Sequence, residues 1–273
     1  MTAAAPPAKG TQPEGAATET EASRKVREMF TEIAPRYDLL NHLLSLELDR
    51  TWRARAARLL RPVLERRDAV ALDLCCGTGD LALALRRAGN ARVIGADFAH
   101  TMLLRARLKA GARGQETAKD RSPGTKERQK ARNGVEFLEA DALRLPFRDA
   151  SFDLVATAFG FRNLANYEAG LREMHRVLKP NGKVAILEFA EPPDGALGAL
   201  YRWYFRGVLP KIGAMISGNQ AAYSYLPKSV SRFFRPPELA ALMTAVGYEA
   251  VDFRCWTMGA VALHTASKAG GAK

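Results

Sequence analysis

Short apolar runs alternate along the chain with stretches whose apolar residues recur at three- and four-residue intervals, and this alternation dictates the first reading. Ala69–Leu74, Ala91–Asp97, Val135–Leu138, Ser151–Phe159 and Lys183–Phe189 are built mainly from Val, Leu, Ile, Phe and Ala, the pattern of strands covered on both faces. Between them the spacing predicts helices: one through Leu81, Leu83, Ala84 and Leu85, one over Thr101–Ala110, and one over Tyr167–Val177 that the Lys179-Pro180-Asn181-Gly182 turn closes. Tyr248–Arg254 and Val261–Thr265 alternate in period two around Met258-Gly259 and read as a hairpin pair at the sheet edge. The order predicts an α/β fold with a mostly parallel, seven-stranded Rossmann-like sheet.

The flanks carry different patterns. Glu21–Glu32 places Val26, Met29, Phe30 and Ile33 on one helical face until Pro35 stops it, and a basic helix through Arg53, Arg55, Arg58 and Arg61 ends at Pro62. Between 194 and 228, aromatic and basic residues (Tyr201, Trp203, Tyr204, Phe205, Arg202, Arg206) follow no clean period. They read as a helical lid over an apolar cavity, able to rest at a membrane interface, or else as ordinary core aromatics. Residues 1–20 read as a disordered tail, 21–268 as one domain with 111–133 as a polar insertion and 194–228 as the lid, and 269–273 as a second tail.

Composition changes this picture little. The chain has 273 residues and a formal net charge of +12, which raises nucleic acid or an anionic membrane as partners. The insertion at 111–133 alone supplies +4 of it. Three cysteines, two of them adjacent at Cys75 and Cys76, make neither a disulfide framework nor a metal-ligand spacing, so no metal is expected and a reducing cytoplasm is the default location. No run is long and apolar enough for a membrane span or a signal peptide. Nothing in the pattern bears on oligomeric state.

The chemistry concentrates where strand turns to helix. In Val70–Asp80, VALDLCCGTGD, an apolar strand breaks into Gly77-Thr78-Gly79 and a helix follows, which puts a nucleotide-sized ligand over the strand ends. The loop fits the loose dinucleotide pattern G-x-G-x-x-G/A, with Asp97 about 20 residues further on to hold ribose hydroxyls. Charge argues instead for S-adenosylmethionine as cosubstrate: Asp73 closes the strand and Asp80 opens the helix, unfavourable to a pyrophosphate but attractive to a sulfonium and an ammonium. Asp80 reads equally well as a favourable helix N-terminal charge. Asp141 could accept the adenine amino group, with Ala142 leaving room for the ring, or simply form a turn. After the fourth strand, Arg162 offers donors to an oxyanion and Asn163 a donor and an acceptor, unless Arg162 pairs with Glu173 or Asp153. Tyr37, Asn41 and His42 either point into the site, or Tyr37 packs with Leu40, Leu43 and Leu44 on a helical face and Asn41 and His42 are caps or surface groups.

Several of these stretches together resemble the UbiE/MenG quinone-ring C-methyltransferases from Lys25 to the final strand. Tyr37-Asp38 with Asn41, Ser45 and Trp52 is similar to that family's N-terminal signature, apart from Asp49, where many members have His. Arg176-Val177-Leu178-Lys179-Pro180-Asn181-Gly182 through Glu188 is similar to its second signature, with Asn181 for a common Gly and Ala190 for a common Ser; Phe159-Gly160-Phe161-Arg162-Asn163 also fits. The resemblance implies a class I methyltransferase fold and transfer of a methyl group from S-adenosylmethionine to a ring carbon of a prenylated naphthoquinol, late in menaquinone synthesis, or of a benzoquinol precursor in organisms that make ubiquinone. It implies Thr78, Asp97, Asp141 and Ala142 as donor contacts. Asp73, Gly77 and Gly79 complete the expected donor site, and Arg162, Asn163, Tyr37 and His42 the expected catalytic set. The rival expectations are a basic RNA methyltransferase, although no Asn-Pro-Pro-aromatic motif follows the fourth strand and no nucleic-acid partner is expected, and a membrane-associated protein that binds quinol without catalysis.

Overall fold

The computed structural model describes residues 10–37, 47–118, 134–190, 225 and 228–271. Seven strands form one sheet: β1 Val70–Leu74, β2 Arg92–Asp97, β3 Val135–Glu139, β4 Phe152–Ala158, β5 Leu178–Phe189, β6 Tyr248–Trp256 and β7 Val261–Lys268. Their order is β3-β2-β1-β4-β5-β7-β6, parallel except that β7 runs antiparallel to both of its neighbours. The chain winds from β1 out to β3 on one side and returns to β4 on the other. The crevice at the carboxyl ends of β1 and β4 is therefore where a ligand is received.

Among the described residues, six helices of two turns or more accompany the sheet: α1 Glu19–Ile33, α2 Leu48–Leu59, α3 Asp80–Ala88, α4 His100–Ala118, α5 Tyr167–Val177 and α6 Pro236–Val246. Alternation along β1 splits the core between the two faces. Leu72 and Leu74 join Leu171 and Met174 of α5 and Leu239 and Met243 of α6, while Ala71 joins Trp52 and Ala56 of α2 and Leu81 and Leu85 of α3. Local chemistry sets the helix ends. Thr18 and Glu21 make a reciprocal capping box on α1, the Asn166 side chain caps α5 by accepting from Ala169 N–H, and Gly247 ends α6 at φ 106°.

Three boundaries differ from the sequence reading. β5 begins at Leu178 rather than Lys183, because Leu178 already pairs with Phe152 before Asn181, at φ 62°, turns the chain so that Lys183 meets Leu154. α4 continues through Gly111–Ala118 into the expected insertion, where Ala, Arg, Gln and Glu outweigh two glycines; residues 119–133 lie outside the described residues. The expected tail is docked from Gly10 onward. Thr11 N–H donates to Leu164 O at 2.7 Å, and the Lys25 ammonium reaches Glu14 O at 2.7 Å. Gly10 lies so close to the Ala165 carbonyl that a Cβ there would come within 1.8 Å of its oxygen. This strap has no hydrophobic period because backbone hydrogen bonds and close approach hold it. His42 and Asn41, and all of the expected lid except Tyr225 and Lys228, lie outside the described residues.

Candidate active site

At the end of β1 the chain reverses through left-handed positions at Cys75 (φ 55°), Gly77 (φ 53°) and Gly79 (φ 84°). The loop is tied to the end of β2: Cys76 N–H donates to Ala96 O at 3.0 Å and Gly77 N–H to Asp97 Oδ2 at 2.8 Å. Beside it opens a cleft enclosing about 880 Å³, space open to solvent included. Asp73, Gly77, Thr78, Asp97, Asp141 and Ala142 line it, together with Tyr37 and Asn163. Gly79 and Arg162 stand outside that lining; Gly79 instead turns the chain into α3, where a Cβ would press on Phe137 at 2.9 Å. Ser23 and Phe30 of α1 cover one side of the cleft, and Arg27 of the same helix pairs with Glu139 at the end of β3.

The carboxylates differ in what they are free to do. Asp97 accepts Gly77 N–H on one oxygen and Ala99 N–H on the other, at 2.8 and 2.9 Å, so each oxygen keeps one lone pair for a ribose hydroxyl. Burial pushes its pKa up, against those N–H bonds. Asp141 accepts Leu143 N–H at 2.9 Å, so the turn reading holds while the residue also lines the cleft. The Lys109 ammonium bridges Asp80 Oδ1 (2.9 Å) and Thr78 Oγ1 (3.0 Å). That ion pair corrects the sequence argument: Asp80 is neutralised by α4 and offers no unbalanced charge to a cationic donor.

Asp73 is the carboxylate that does. It is 1% exposed and lines the cleft, and neither carboxyl oxygen has a hydrogen-bond partner among the described residues. Burial raises its pKa well above the carboxylate range, against the pull of the Ala82 backbone and the Arg53 charge. A buried carboxyl without partners is costly unless a ligand completes it, and an ammonium or sulfonium does so. The donor set fits S-adenosylmethionine on this observation. Burial also holds the thiols of Cys75 and Cys76 well above their ordinary pKa, which leaves them protonated packing groups.

Across the cleft, β4 is followed by Phe159 in the left-handed region (φ 62°), a conformation a bulky residue adopts only when its surroundings impose it. The turn aims the Phe159 carbonyl at the next loop, where it accepts from Arg162 Nη1 and, at 3.5 Å, from Asn163 Nδ2. Arg162 is 5% exposed and pairs with Glu188 of β5, its Nη1 lying 3.1 Å from both carboxylate oxygens. Neither partner expected from the sequence holds it. Glu173 is bound by Arg176, and Asp153 by Arg66 and Lys179. Asn163 Oδ1 accepts from the Tyr225 hydroxyl at 3.0 Å, and that hydroxyl lies 2.8 Å from Thr11 Oγ1. Tyr37 and Tyr225 are both within electrostatic reach of Arg162. Arg53, which lines the cleft, and Lys109, Glu188, Tyr225 and Thr11, which stand behind its lining, escaped sequence reasoning, because only the fold brings them there; the quoted signature ending at Glu188 was the one available signal.

Comparison with known proteins decides the family. The model of the ubiE/COQ5 methyltransferase family matches residues 18–268. The chain belongs to the ubiE/COQ5 methyltransferase family. Among this family's members, a protein of Thermus thermophilus named demethylmenaquinone methyltransferase is 51% identical over 241 residues, spanning 88% of this chain and 100% of that protein. One of the same name from Deinococcus radiodurans is 46% identical over 244 residues, covering 89% of this chain and 92% of the relative. The Geobacter sulfurreducens protein named ubiquinone/menaquinone biosynthesis C-methyltransferase UbiE is 39% identical over 251 residues, with coverage of 91% and 90%. Solved structures share the fold at 18% identity. They include the [4+2]-cyclase SpnF, at a TM-score of 0.61 over 96% of this chain and 100% of that one, and a Thermotoga maritima S-adenosylmethionine-dependent methyltransferase, at 0.57 over 88% and 99%. The Rossmann-like class I fold expected from the sequence is thus the observed one.

Proposed function

We propose that this ubiE/COQ5 family member transfers a methyl group from S-adenosylmethionine to a ring carbon of demethylmenaquinol, giving menaquinol. The observation that carries the reading is the unpartnered, buried Asp73 in a cleft at the carboxyl ends of β1 and β4, in a chain that shares about half its residues with a demethylmenaquinone methyltransferase. S-adenosylmethionine supplies an electrophilic methyl on a sulfonium; the protein's task is to hold it and to shape a carbon nucleophile opposite.

On the donor side, Asp73 takes a positive charge, Asp97 uses its remaining lone pairs for ribose hydroxyls, and Asp141 with Ala142 receives the adenine, while Gly77 and Thr78 keep the loop close. On the acceptor side the residues must favour the quinolate, because loss of a ring hydroxyl proton places negative charge on the adjacent carbon, which can then attack the methyl in line. Asn163 and Tyr37 line the cleft and position that hydroxyl. Arg162 works from behind the lining: its charge balanced by Glu188, it braces the Phe159 carbonyl and the turn that carries Asn163 towards the developing oxyanion. His42 stays in the expected set as a proton relay. The assignment predicts that Arg162→Ala lowers turnover far more than it changes donor affinity.

A second reading, C-methylation of a polyprenyl benzoquinol, is favoured by the relatives named for both quinones. No helix among the described residues is long and apolar enough to cross a membrane. The proposed route to a lipid-borne quinol is therefore peripheral contact through the aromatic segment around Trp203 and Phe205. Mass spectrometry after incubation with S-adenosylmethionine and either reduced demethylmenaquinone or a reduced benzoquinol precursor tests the function. Methyl gain on the naphthoquinol alone supports the first reading and gain on both supports the second; gain on neither, with the donor bound, removes both.

A further inference from the structure

The side chains that would hold the donor are shut away from water: Asp73 is 1% exposed, Thr78 2% and Asp97 7%. A nucleoside reaches them only if part of the wall moves. α1 lies as a bar across that wall. Asn166 Nδ2, just before α5, donates to Glu19 at 3.1 Å, Ser23 and Phe30 face the cleft, and Phe30 and Ile33 pack on Ala99 and Met102 at the start of α4. The footing is uneven. Only Ala22 and Val26 of the helix are fully buried, and its apolar contacts gather at the C-terminal end, where Ala34 and the Phe30–Tyr37 ring pair (centroids 5.9 Å apart) join the Ala99 and Met102 cluster and Pro35 turns the chain.

The rest of the helix is tied to the cleft rim by polar contacts. Arg27 pairs with one oxygen of Glu139 at the end of β3, and the other oxygen faces His100 Nδ1 at 3.1 Å, which steadies the carboxylate from the α4 side. The Arg27 and Glu139 side chains are 49% and 40% exposed, so the pair is a weak tie that breaks and reforms readily. At this point a second hollow, bordered by Arg24, Arg27 and Glu139, runs into the donor cleft, since Ser23, Phe98, Ala140 and Asp141 line both. A helix seated by apolar packing at one end is thus closed, over a passage to the donor site, by a water-exposed ion pair. We propose that α1 is a gate on the donor cleft, latched by Arg27 and Glu139, and that the donor and its demethylated product pass where the helix lifts from the end of β3. This rests on the reading of the cleft as a donor site and adds how that site exchanges its ligand. The latch is the same closed contact with or without ligand, so loosening it speeds entry and release together and leaves affinity unchanged.

Rapid-filtration kinetics with radiolabelled S-adenosylhomocysteine test the gate. In the wild-type protein the observed association rate should level off at high ligand concentration, at the rate at which α1 lifts. Arg27→Gln and Glu139→Gln should each raise that plateau and the release rate roughly two- to fivefold, the size of a half-exposed ion pair, at an unchanged dissociation constant. Added salt should speed exchange in the wild type and have little effect on the variants. Reversing both charges, Arg27→Glu with Glu139→Arg, should slow exchange again. Variants that exchange ligand at the wild-type rate would overturn the gate. Faster release with unaltered association would also overturn it, because the pair would then belong to the donor site itself. A wild-type association rate that climbs in proportion to ligand without levelling off would do the same, and that measurement needs no variant. Failure of the wild-type protein to bind S-adenosylhomocysteine at all would instead bring down the donor reading, a separate result.

Discussion

At the residue scale, Asp73 is the side chain that ties the energetics of the fold to its chemistry. Its pKa is raised in the folded protein, so its contribution to stability is full below the ordinary carboxylate range and is lost as pH climbs through the raised folded value. Asp73→Asn removes that loss. The variant should melt a few degrees above the wild type at neutral pH, and the advantage should vanish towards pH ~4, where the unfolded carboxyl is itself protonated. The same substitution should abolish donor affinity, so a more stable protein would be an inactive one. Because burial raises the Asp73 pKa and a bound ammonium lowers it, binding of S-adenosylhomocysteine should release protons over the pH range in which the buried carboxyl is protonated, read as a buffer-dependent calorimetric enthalpy that Asp73→Asn abolishes. An enthalpy independent of buffer would mean that Asp73 is already ionised in the empty cleft. Asp73 was legible in the sequence because a strand, a glycine turn and a helix declare it. Asp80, directly after the turn, looked equivalent, and only the approach of Lys109 from α4 shows that it is spent.

At the element scale, the strap from Gly10 to Thr18 is the feature that the sequence hid most completely. Pattern recognition finds elements that bury one face periodically, and this segment buries almost nothing of its own; a backbone bond to Leu164 and a hydroxyl on Tyr225 hold it. From Thr11 the chain of contacts runs through the Tyr225 hydroxyl to Asn163, whose amide also reaches the Phe159 carbonyl. The strap therefore orients an acceptor-side residue without touching the donor carboxylates. Thr11→Val keeps the shape and the Leu164 bond but removes the hydroxyl. It should lower turnover roughly fivefold, the worth of one neutral hydrogen bond of about 1 kcal/mol, and leave the affinity for S-adenosylhomocysteine unchanged. Tyr225→Phe should do the same and Thr11→Ser should restore the rate. A lower melting temperature at unaltered turnover would reduce the strap to a structural tie. The strands and α5 and α6, by contrast, were readable to within a few residues, because both faces of the sheet bury aliphatic side chains in an unbroken run.

At the scale of the whole molecule, the sheet order separates the active end from the charged one. Parallel strands deliver the loops after β1, β2, β3 and β4, which bear Thr78, Asp97, Asp141 and Asn163, to one end, and α4 leaves that end at His100 and runs back to finish at Ala118. β3 starts at Val135 on the outer edge of the sheet, so residues 119–133 leave and rejoin the fold at the end opposite the cleft. That stretch carries a net +4 of the chain's +12. The basic balance that raised nucleic acid as a partner is thus in part joined to the fold at the end opposite the cleft. Replacing residues 119–133 by a short Gly-Ser linker should leave the melting temperature, the S-adenosylhomocysteine affinity and the methylation of a water-soluble short-chain quinol unchanged. Nonspecific binding to RNA, or to vesicles rich in anionic lipid, should fall and lose most of its salt dependence, because fewer phosphates are neutralised and fewer counterions released. If vesicle binding persists at full strength, the contact belongs instead to the aromatic segment, and replacing Trp203 and Phe205 by Ser should then remove it. If methylation fails while the donor still binds, the basic stretch serves the acceptor, and the separation argued from the sheet order is wrong.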